Sequence, residues 1–168
     1  RNLPFDALKD FEPISLLVNA EGVLAVNPGV PAKSVKELIA LAKAQPGKLN
    51  MASAGIGSSS HLAGIMFTSL AGIDTVHVPY KGGGQMAEAV VGGQAQWLIA
   101  PAASVVGQIK GGRLRALALS SKIRSPLMPD LPTIDEAGVP GYEYTSWNTL
   151  FAPRGTPRAI VKTLHATV

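Results

Sequence analysis

The sequence of 168 residues predicts an α/β fold with a mostly parallel sheet. Short apolar runs of strand length alternate with amphipathic segments of helix length through the middle of the chain, and the connections are short. The strand segments are continuously apolar, which is typical of strands covered by helices on both faces. Hydrophobic residues make up 46% of the chain and aromatic residues only 5%, so we expect a packed, mainly aliphatic core.

The predicted strands are short and are bounded by turn-forming residues. Residues 1–14 precede them as an irregular entry, in which Pro4 and Pro13 prevent a helix. The strands are predicted at residues 14–18, 22–26, 75–78, 95–99, 114–119 and 142–151, with a further short strand beginning near Leu49. Residues 19–22 are interpreted as a turn between the first two strands.

Helices are predicted where a start and a stop signal frame an apolar stripe. Ser34 and Glu37 form a capping box that opens a helix running to about Ala44. The central helix follows a loop of Gly and Ser residues and ends at Gly72. Its apolar face consists of Leu62, Ile65, Met66 and Leu70. Further helices are predicted at 85–91, from 100–104 to Gly111, at 133–138, and from Pro157 onward.

Three small, uncharged loops follow strands of the predicted parallel sheet and each leads into a helix. They are residues 52–59, 79–84 and 100–104. In parallel sheets ligands bind beyond the carboxyl ends of the strands, and helix N-termini offer free N–H groups to anions. The three loops therefore predict an anion-binding edge, although each one taken alone is also compatible with a capped turn without a ligand.

Composition and motif spacing argue against several other functions. The 15 Lys and Arg residues are dispersed, which does not favour nucleic-acid binding, and the net charge of +4 suits small anions. The three histidines lack metal-ligand spacing, and there is no cysteine, so no metal or other cofactor is predicted. Gly55 and Gly57 approach a dinucleotide fingerprint, but Asp74 precedes the strand that a ribose-binding acid should follow.

Two interpretations of individual side chains stay open from the sequence alone. His61 beside Ser58 is either a residue of the pocket rim or the base of a nucleophilic pair, which would make the chain a small-ester hydrolase. Lys81 either attracts a carboxylate or is a solvated loop residue, and Trp147 either lines a cleft or fills a core. A purely structural domain is the third class of function considered.

Several motifs together resemble one known family. They are Leu3-Pro-Phe-Asp6, Lys9-Asp-Phe11, Ser34-Val-Lys-Glu-Leu38, the loop Ala52-Ser-Ala-Gly-Ile-Gly-Ser58 with His61-Leu62, His77-Val-Pro-Tyr-Lys-Gly82, Leu114-Arg-Ala-Leu-Ala118, Leu131-Pro-Thr133, Glu136-Ala-Gly138 and Pro140-Gly141. The chain resembles the Bug-type periplasmic substrate-binding receptors of tripartite tricarboxylate transporters over essentially its whole length.

The resemblance implies a fold of the type II periplasmic-binding-protein class, a Venus flytrap of two lobes. It implies capture of a small carboxylate in the cleft between the lobes, without catalysis, and delivery to the membrane subunits of the transporter. It also implies a location in the periplasm of a Gram-negative bacterium, with the signal peptide outside this chain. Residues 27–119 are expected to form one complete lobe, and residues 1–26 and 120–168 part of the second lobe with the crossing segments.

Three departures from the family pattern qualify these expectations. The family's first segment is absent, so we expect this chain to bind ligand weakly and to self-associate through apolar surface. Gln85 stands where the family usually has Pro. Ala100-Pro101 stands where it often has Asp-Asn, which suggests a preference for a less polar acid.

The predicted ligand contacts combine backbone N–H groups with a few side chains. The candidate residues are Ser53, Ala54, Gly55, Gly57, Ser58, Ser59, Tyr80, Lys81, Gly82, Gly83, Ala100 and Trp147.

Overall fold

The computed structural model describes residues 3–168, which form two compact units. The larger unit is Glu21–Ser146, and the smaller unit joins the segment that ends at Ala20 to the segment Trp147–Val168. Residues 1 and 2, which belong to the predicted entry and to the predicted partial lobe, lie outside the described residues. The predicted lobe boundaries at 27 and 119 concern a complete two-lobe receptor and stay a prediction.

The described residues contain strands and helices in the order expected for an α/β chain. The elements are β1 (Phe11–Val26), α1 (Val35–Ala44), β2 (Asn50–Ser53), α2 (Ser59–Ala71), β3 (Val76–Pro79), α3 (Gly83–Val91), β4 (Trp97–Pro101), α4 (Ala102–Lys110), β5 (Arg115–Leu119), β6 (Thr145–Pro153) and α5 (Arg158–Thr167).

The sheet has the order β3-β2-β4-β1-β5, and β6 pairs with β1. β2 is parallel to both β3 and β4, whereas β1 is antiparallel to β4 and β5. β5 therefore runs in the same direction as β4, with the antiparallel β1 between them. The predicted α/β class is confirmed, with one antiparallel strand inserted into a sheet whose other four strands on this path are parallel.

The predicted apolar face of the central helix is wrong, because Ala63 and Phe67 are buried while Leu62, Ile65 and Leu70 are about half exposed. Two predicted elements are also wrong, and in both places a distant contact decides the structure. Residues 14–18 and 22–26 belong to the single strand β1, because the Gly22 N–H donates to Ser120 Oγ at 2.7 Å and keeps the expected turn extended. Residues 133–138 form one hydrogen-bonded turn instead of a helix, since Thr133 pairs with Leu119 in a parallel bridge.

Two hydrophobic clusters pack the larger unit. The first includes Phe67 of α2, Trp97 and Tyr142, and the second includes Met86 of α3 and Val105 of α4. Successive residues of β1 alternate between the clusters: Leu24 and Val26 belong to the first, Val23 and Ala25 to the second. This alternation explains the continuously apolar strand, because each face of the sheet contacts a different core.

The smaller unit is held mainly by backbone and aromatic contacts. The Arg154 N–H donates to the Asp10 carbonyl at 2.9 Å, and Phe11 makes an edge contact with Phe151 at 6.3 Å between ring centroids. Helix α5 has no buried residue. None of the helices among residues 3–168 is long and apolar enough to cross a membrane.

Candidate functional site

Three loops of the larger unit meet at one edge of the sheet. Strands β3, β2 and β4 are adjacent and parallel, so the segments that follow them leave from the same side. Ser53, the last residue of β2, is in register with Pro79, the last residue of β3. We call these three connections the edge loops. Residues 54–58 lead to α2, residues 80–82 lead to α3, and Pro101 joins β4 to α4.

The first edge loop is built from its own serines and glycines. Ser58 is the N-cap of α2: its Oγ accepts from the His61 N–H at 3.3 Å and donates to the Gly55 carbonyl at 2.7 Å. Ser60 Oγ accepts from the Ala54 N–H at 2.9 Å. A cap satisfies only one of the first N–H groups of a helix, and no side chain among residues 3–168 bonds those of Ser59 and Ser60.

The second edge loop lies against the first and ends in glycines. A Cβ atom placed on Gly55 would be 3.4 Å from the Tyr80 carbonyl oxygen. Gly82 is the N-cap of α3 with φ of +138°, and no side chain among residues 3–168 caps this helix. Gln85, the departure from the family pattern, accepts from the Lys81 N–H through Oε1 at 3.3 Å. The first N–H groups of α3 therefore have no side-chain cap within residues 3–168.

The third edge loop is short and apolar. Pro101 is the N-cap of α4, and no side chain of the described chain caps this helix either. Ser104 Oγ donates to the Pro101 carbonyl at 2.7 Å. Ala100 is only 1% exposed and belongs to the second core cluster, so any contact from this position involves the backbone at the strand end.

The predicted site residues divide into three groups in the structure. The residues of the first two edge loops lie together with Ser59 and Gly83, the first residues of α2 and α3, and Lys81 among them is exposed. Ser53 and Ala100 lie beneath the loops and are buried. Trp147 belongs to the smaller unit, where its side chain is 62% exposed. Their roles in ligand binding stay a prediction.

A pair of stacked histidines supports the first edge loop, and sequence analysis assigned His77 no role. The rings of His61 and His77 are 4.1 Å apart with an angle of 26° between them. His61 Nδ1 accepts from the Gly57 N–H at 3.1 Å, and His77 Nε2 lies 2.6 Å from Ser53 Oγ. Burial lowers the pKa of His77 below its ordinary value, and the neighbouring His61 ring lowers that pKa further.

The geometry does not arrange Ser58 and His61 as a nucleophile and its base. The Ser58 hydroxyl donates to the Gly55 carbonyl, and His61 Nδ1 is occupied by the Gly57 N–H. Within residues 3–168, no hydrogen bond joins these two side chains. The same part of the chain contains no group of three His, Asp or Glu side chains placed to hold a metal ion.

Comparison with known proteins gives consistent matches. The family described as tripartite tricarboxylate transporter family receptor matches residues 1–168. Protein BugT of Bordetella pertussis is 34% identical over 164 residues, covering 98% of this chain and 50% of BugT.

Solved structures give the same result. R. palustris Rpa4515 with adipate has a TM-score of 0.97 and 36% identity, over 99% of this chain and 56% of that protein. MatC (Rpa3494) from Rhodopseudomonas palustris with bound malate has a TM-score of 0.90 and 34% identity, again over 99% and 56%. The chain spans about half the length of the curated relatives it matches.

Proposed function

The chain belongs to the tripartite tricarboxylate transporter receptor family, and we propose that its edge loops hold a small carboxylate ligand of such a receptor. The observation that carries this proposal is the meeting of three helix N-termini at one sheet edge, in loops without an acidic side chain. Two structurally similar proteins were solved with adipate and malate, which are both small dicarboxylates.

The proposed anchor is the backbone, with side chains assisting. Neither of the first two edge loops contains an Arg that could bind a carboxylate in a bidentate manner. Each helix N-terminus stabilises a nearby anion by about 0.3–1 kcal/mol. A hydrogen bond to a charged group adds about 1.5–3 kcal/mol. A few such contacts reach the roughly 8 kcal/mol that a micromolar complex needs, once the costs of association are met.

The finer parts of the role follow from family membership. The ligand is delivered to the membrane subunits of a tripartite tricarboxylate-type transporter, from the periplasm, and the chain acts by binding without turnover. Ala100-Pro101, in place of a polar pair, favours a less polar acid as the ligand. Ester hydrolysis by the purified chain that is lost in Ser58→Ala would contradict this role.

The first test measures adipate and malate binding to the 168-residue chain by isothermal titration calorimetry. We expect Gly82→Val to weaken binding far more than Lys81→Ala does, because a side chain at Gly82 blocks the approach of the ligand to the backbone and opposes the positive φ. Lys110→Ala, which removes a lysine from the last turn of α4, is the matched control. Loss of binding in Lys81→Ala together with unchanged binding in Gly82→Val would show that a point charge is the anchor.

The same proposal includes self-association of this chain. The smaller unit exposes several large apolar side chains, among them Leu8 at 92%, Leu16 at 54% and Leu17 at 49%. Exposed apolar surface of this kind favours association with other protein surfaces. We expect light scattering coupled to size exclusion to show a mass that rises with concentration, and Leu16→Ser with Leu17→Ser to reduce that rise.

A further inference from the structure

The stacked pair beneath the first edge loop connects two titratable side chains to the peptides that form the proposed site. We propose that His61 and His77 are positioning residues of the first edge loop: as neutral imidazoles they hold the Gly57 and Gly55 peptides in place, and protonation of His61 releases Gly57. The consequence for ligand binding rests on the proposed function, whereas the positioning itself does not.

His61 holds the loop only in one protonation state. Its Nδ1 accepts from the Gly57 N–H at 3.1 Å, so the ring proton of neutral His61 is on Nε2. A protonated His61 carries hydrogen on both ring nitrogens and would face the Gly57 N–H with a second donor. Since two donors repel, the ring or the loop must then move. Gly57 has φ of +81°, a conformation that this hydrogen bond helps to fix.

His77 acts on the neighbouring peptide through Ser53. Ser53 is completely buried, and its Oγ lies 2.6 Å from His77 Nε2 and accepts from the Gly55 N–H at 3.2 Å. The Gly55 carbonyl is 3.3 Å from the same Oγ. When His77 Nε2 accepts, the single hydroxyl proton of Ser53 points to the imidazole, and when Nε2 carries a proton, the hydroxyl turns to the Gly55 carbonyl.

Charged side chains are scarce around the two histidines: within residues 3–168, the elements that carry them or pack on β2 contain one, Glu88 of α3. The rings are 4.1 Å apart, so a charged His61 opposes protonation of His77 and lowers the pKa of His77. Strands β2 and β3 and helix α2 contain no Asp, Glu, Lys or Arg. Helix α3 also packs on β2, and its charged residue Glu88 bonds Arg113 at 2.9 Å. The nearest charges along the chain are Asp74 and Lys81.

The deciding experiment is NMR on the ligand-free 168-residue chain, with imidazole and amide nitrogen shifts followed from about pH 8 to pH 5, the range in which histidine charge changes. We expect His61 in the Nε2–H tautomer near pH 8. The Gly57 amide should shift with the His61 titration. An Nδ1–H tautomer of His61, or a Gly57 amide that does not follow His61, overturns the proposal without any variant.

Matched variants separate positioning from packing. The Asn side chain offers an oxygen acceptor close to the Nδ1 position, so His61→Asn should keep the Gly57 amide signal and remove its pH dependence. His61→Ala should displace the Gly57 amide signal already near pH 8. His77→Ala should displace the Gly55 amide signal, although His77 acts on Gly55 only through Ser53. His165→Asn, in the smaller unit, is the control and should change neither amide. Unchanged Gly55 and Gly57 amides in both alanine variants overturn the proposal.

Adipate affinity near pH 8 then tests the consequence for binding. We expect wild type and His61→Asn to be similar and His61→Ala to be weaker by roughly three- to tenfold, the effect of one net hydrogen bond. Equal affinities of wild type and His61→Ala overturn the consequence. If wild type itself does not bind adipate, the proposed function fails for this ligand, and the NMR result still decides whether the histidines position the loop.

Discussion

At the scale of single residues, Gly82 shows how the edge loops depend on backbone conformations that side chains avoid. Its φ of +138° lies in a region occupied essentially by glycine, and a Cβ atom there would meet no neighbour within 4 Å. Gly82→Ala therefore tests conformational strain alone, and we expect it to destabilise the fold by about 1–3 kcal/mol. The free energy of unfolding in urea measures this cost.

The matched control for that substitution is two residues away. Gly84 lies in the first turn of α3, has no positive φ, and also has open space around it. Gly84→Ala should stabilise the chain by about 0.5–1 kcal/mol, since Ala loses less backbone entropy in a helix. Equal effects of the two substitutions would show that Gly82 is not strained.

Glu136 predicts a pH dependence of stability at the same scale. Its Oε2 accepts from the Thr133 N–H at 3.0 Å and from Arg124 Nε at 2.9 Å, and these bonds, the first above all, lower the pKa of Glu136. A carboxylate with a lowered folded-state pKa contributes stability above its unfolded pKa and loses it as the pH falls through the folded one.

Glu136→Gln should therefore be less stable than wild type near neutral pH. The difference should shrink as the pH falls below about 4.3, the ordinary pKa of Glu. Urea unfolding at several pH values measures it, with the exposed Glu143→Gln as control. A difference that stays constant down to pH 3 would contradict the assignment.

At the scale of elements, local signals predicted helices well and failed where distant residues decide. The capping residues predicted for α1 cap it with a shifted second bond: Ser34 Oγ accepts from the Glu37 N–H at 3.2 Å, and Glu37 Oε2 accepts from the N–H of Lys33, one residue before the cap, at 2.7 Å. The turn expected at residues 19–22 is instead extended, because Gly22 is bonded to Ser120, which lies 98 residues away. No local pattern in the sequence contains that contact.

In the candidate site, too, local patterns could be predicted from the sequence and contacts between distant residues could not. The edge loops could be predicted, since each is a run of small residues between a strand and a helix start. The support from His77 could not, because Ser53 and His77 are 24 residues apart and meet only through the pairing of β2 with β3. The one local sign of this support was His77 itself, a polar residue inside an apolar strand.

Packing of α2 on the sheet gives an element-scale prediction. A Cβ atom on Gly64 would overlap Met51 Sδ and lie 3.0 Å from Met51 Cε, so the buried Met51 side chain of β2 packs directly on Gly64 of the helix. Gly64→Ala should cost about 1–3 kcal/mol through overpacking, although Ala favours helices. Gly107→Ala in α4, where a Cβ meets nothing within 4 Å, should stabilise instead. Urea unfolding compares the two, and stabilisation by Gly64→Ala would contradict the packing of Met51 on Gly64.

At the scale of the whole molecule, the two units differ in how much of their stability comes from buried apolar surface. The larger unit contains both core clusters, with Phe67 and Trp97 completely buried. In the smaller unit Ile14 and Ala152 are the buried apolar residues among the described ones, and α5 has none. Since helices in proteins owe most of their stability to a packed face, we expect α5 to open at a much smaller free energy than α2.

Amide hydrogen exchange of the 168-residue chain measures this difference directly. We expect α5 amides to exchange through local opening, orders of magnitude faster than those of α2 and β4. Leu164→Ala in α5, where Leu164 is 38% exposed, should leave the exchange of α2 unchanged. Phe67→Ala should remove about 3–5 kcal/mol and accelerate exchange throughout the larger unit, because it empties the centre of the first cluster. If α5 were as protected from exchange as α2, the smaller unit would have a stabilising contact for α5. Leu164→Ala would then lower the protection of both helices.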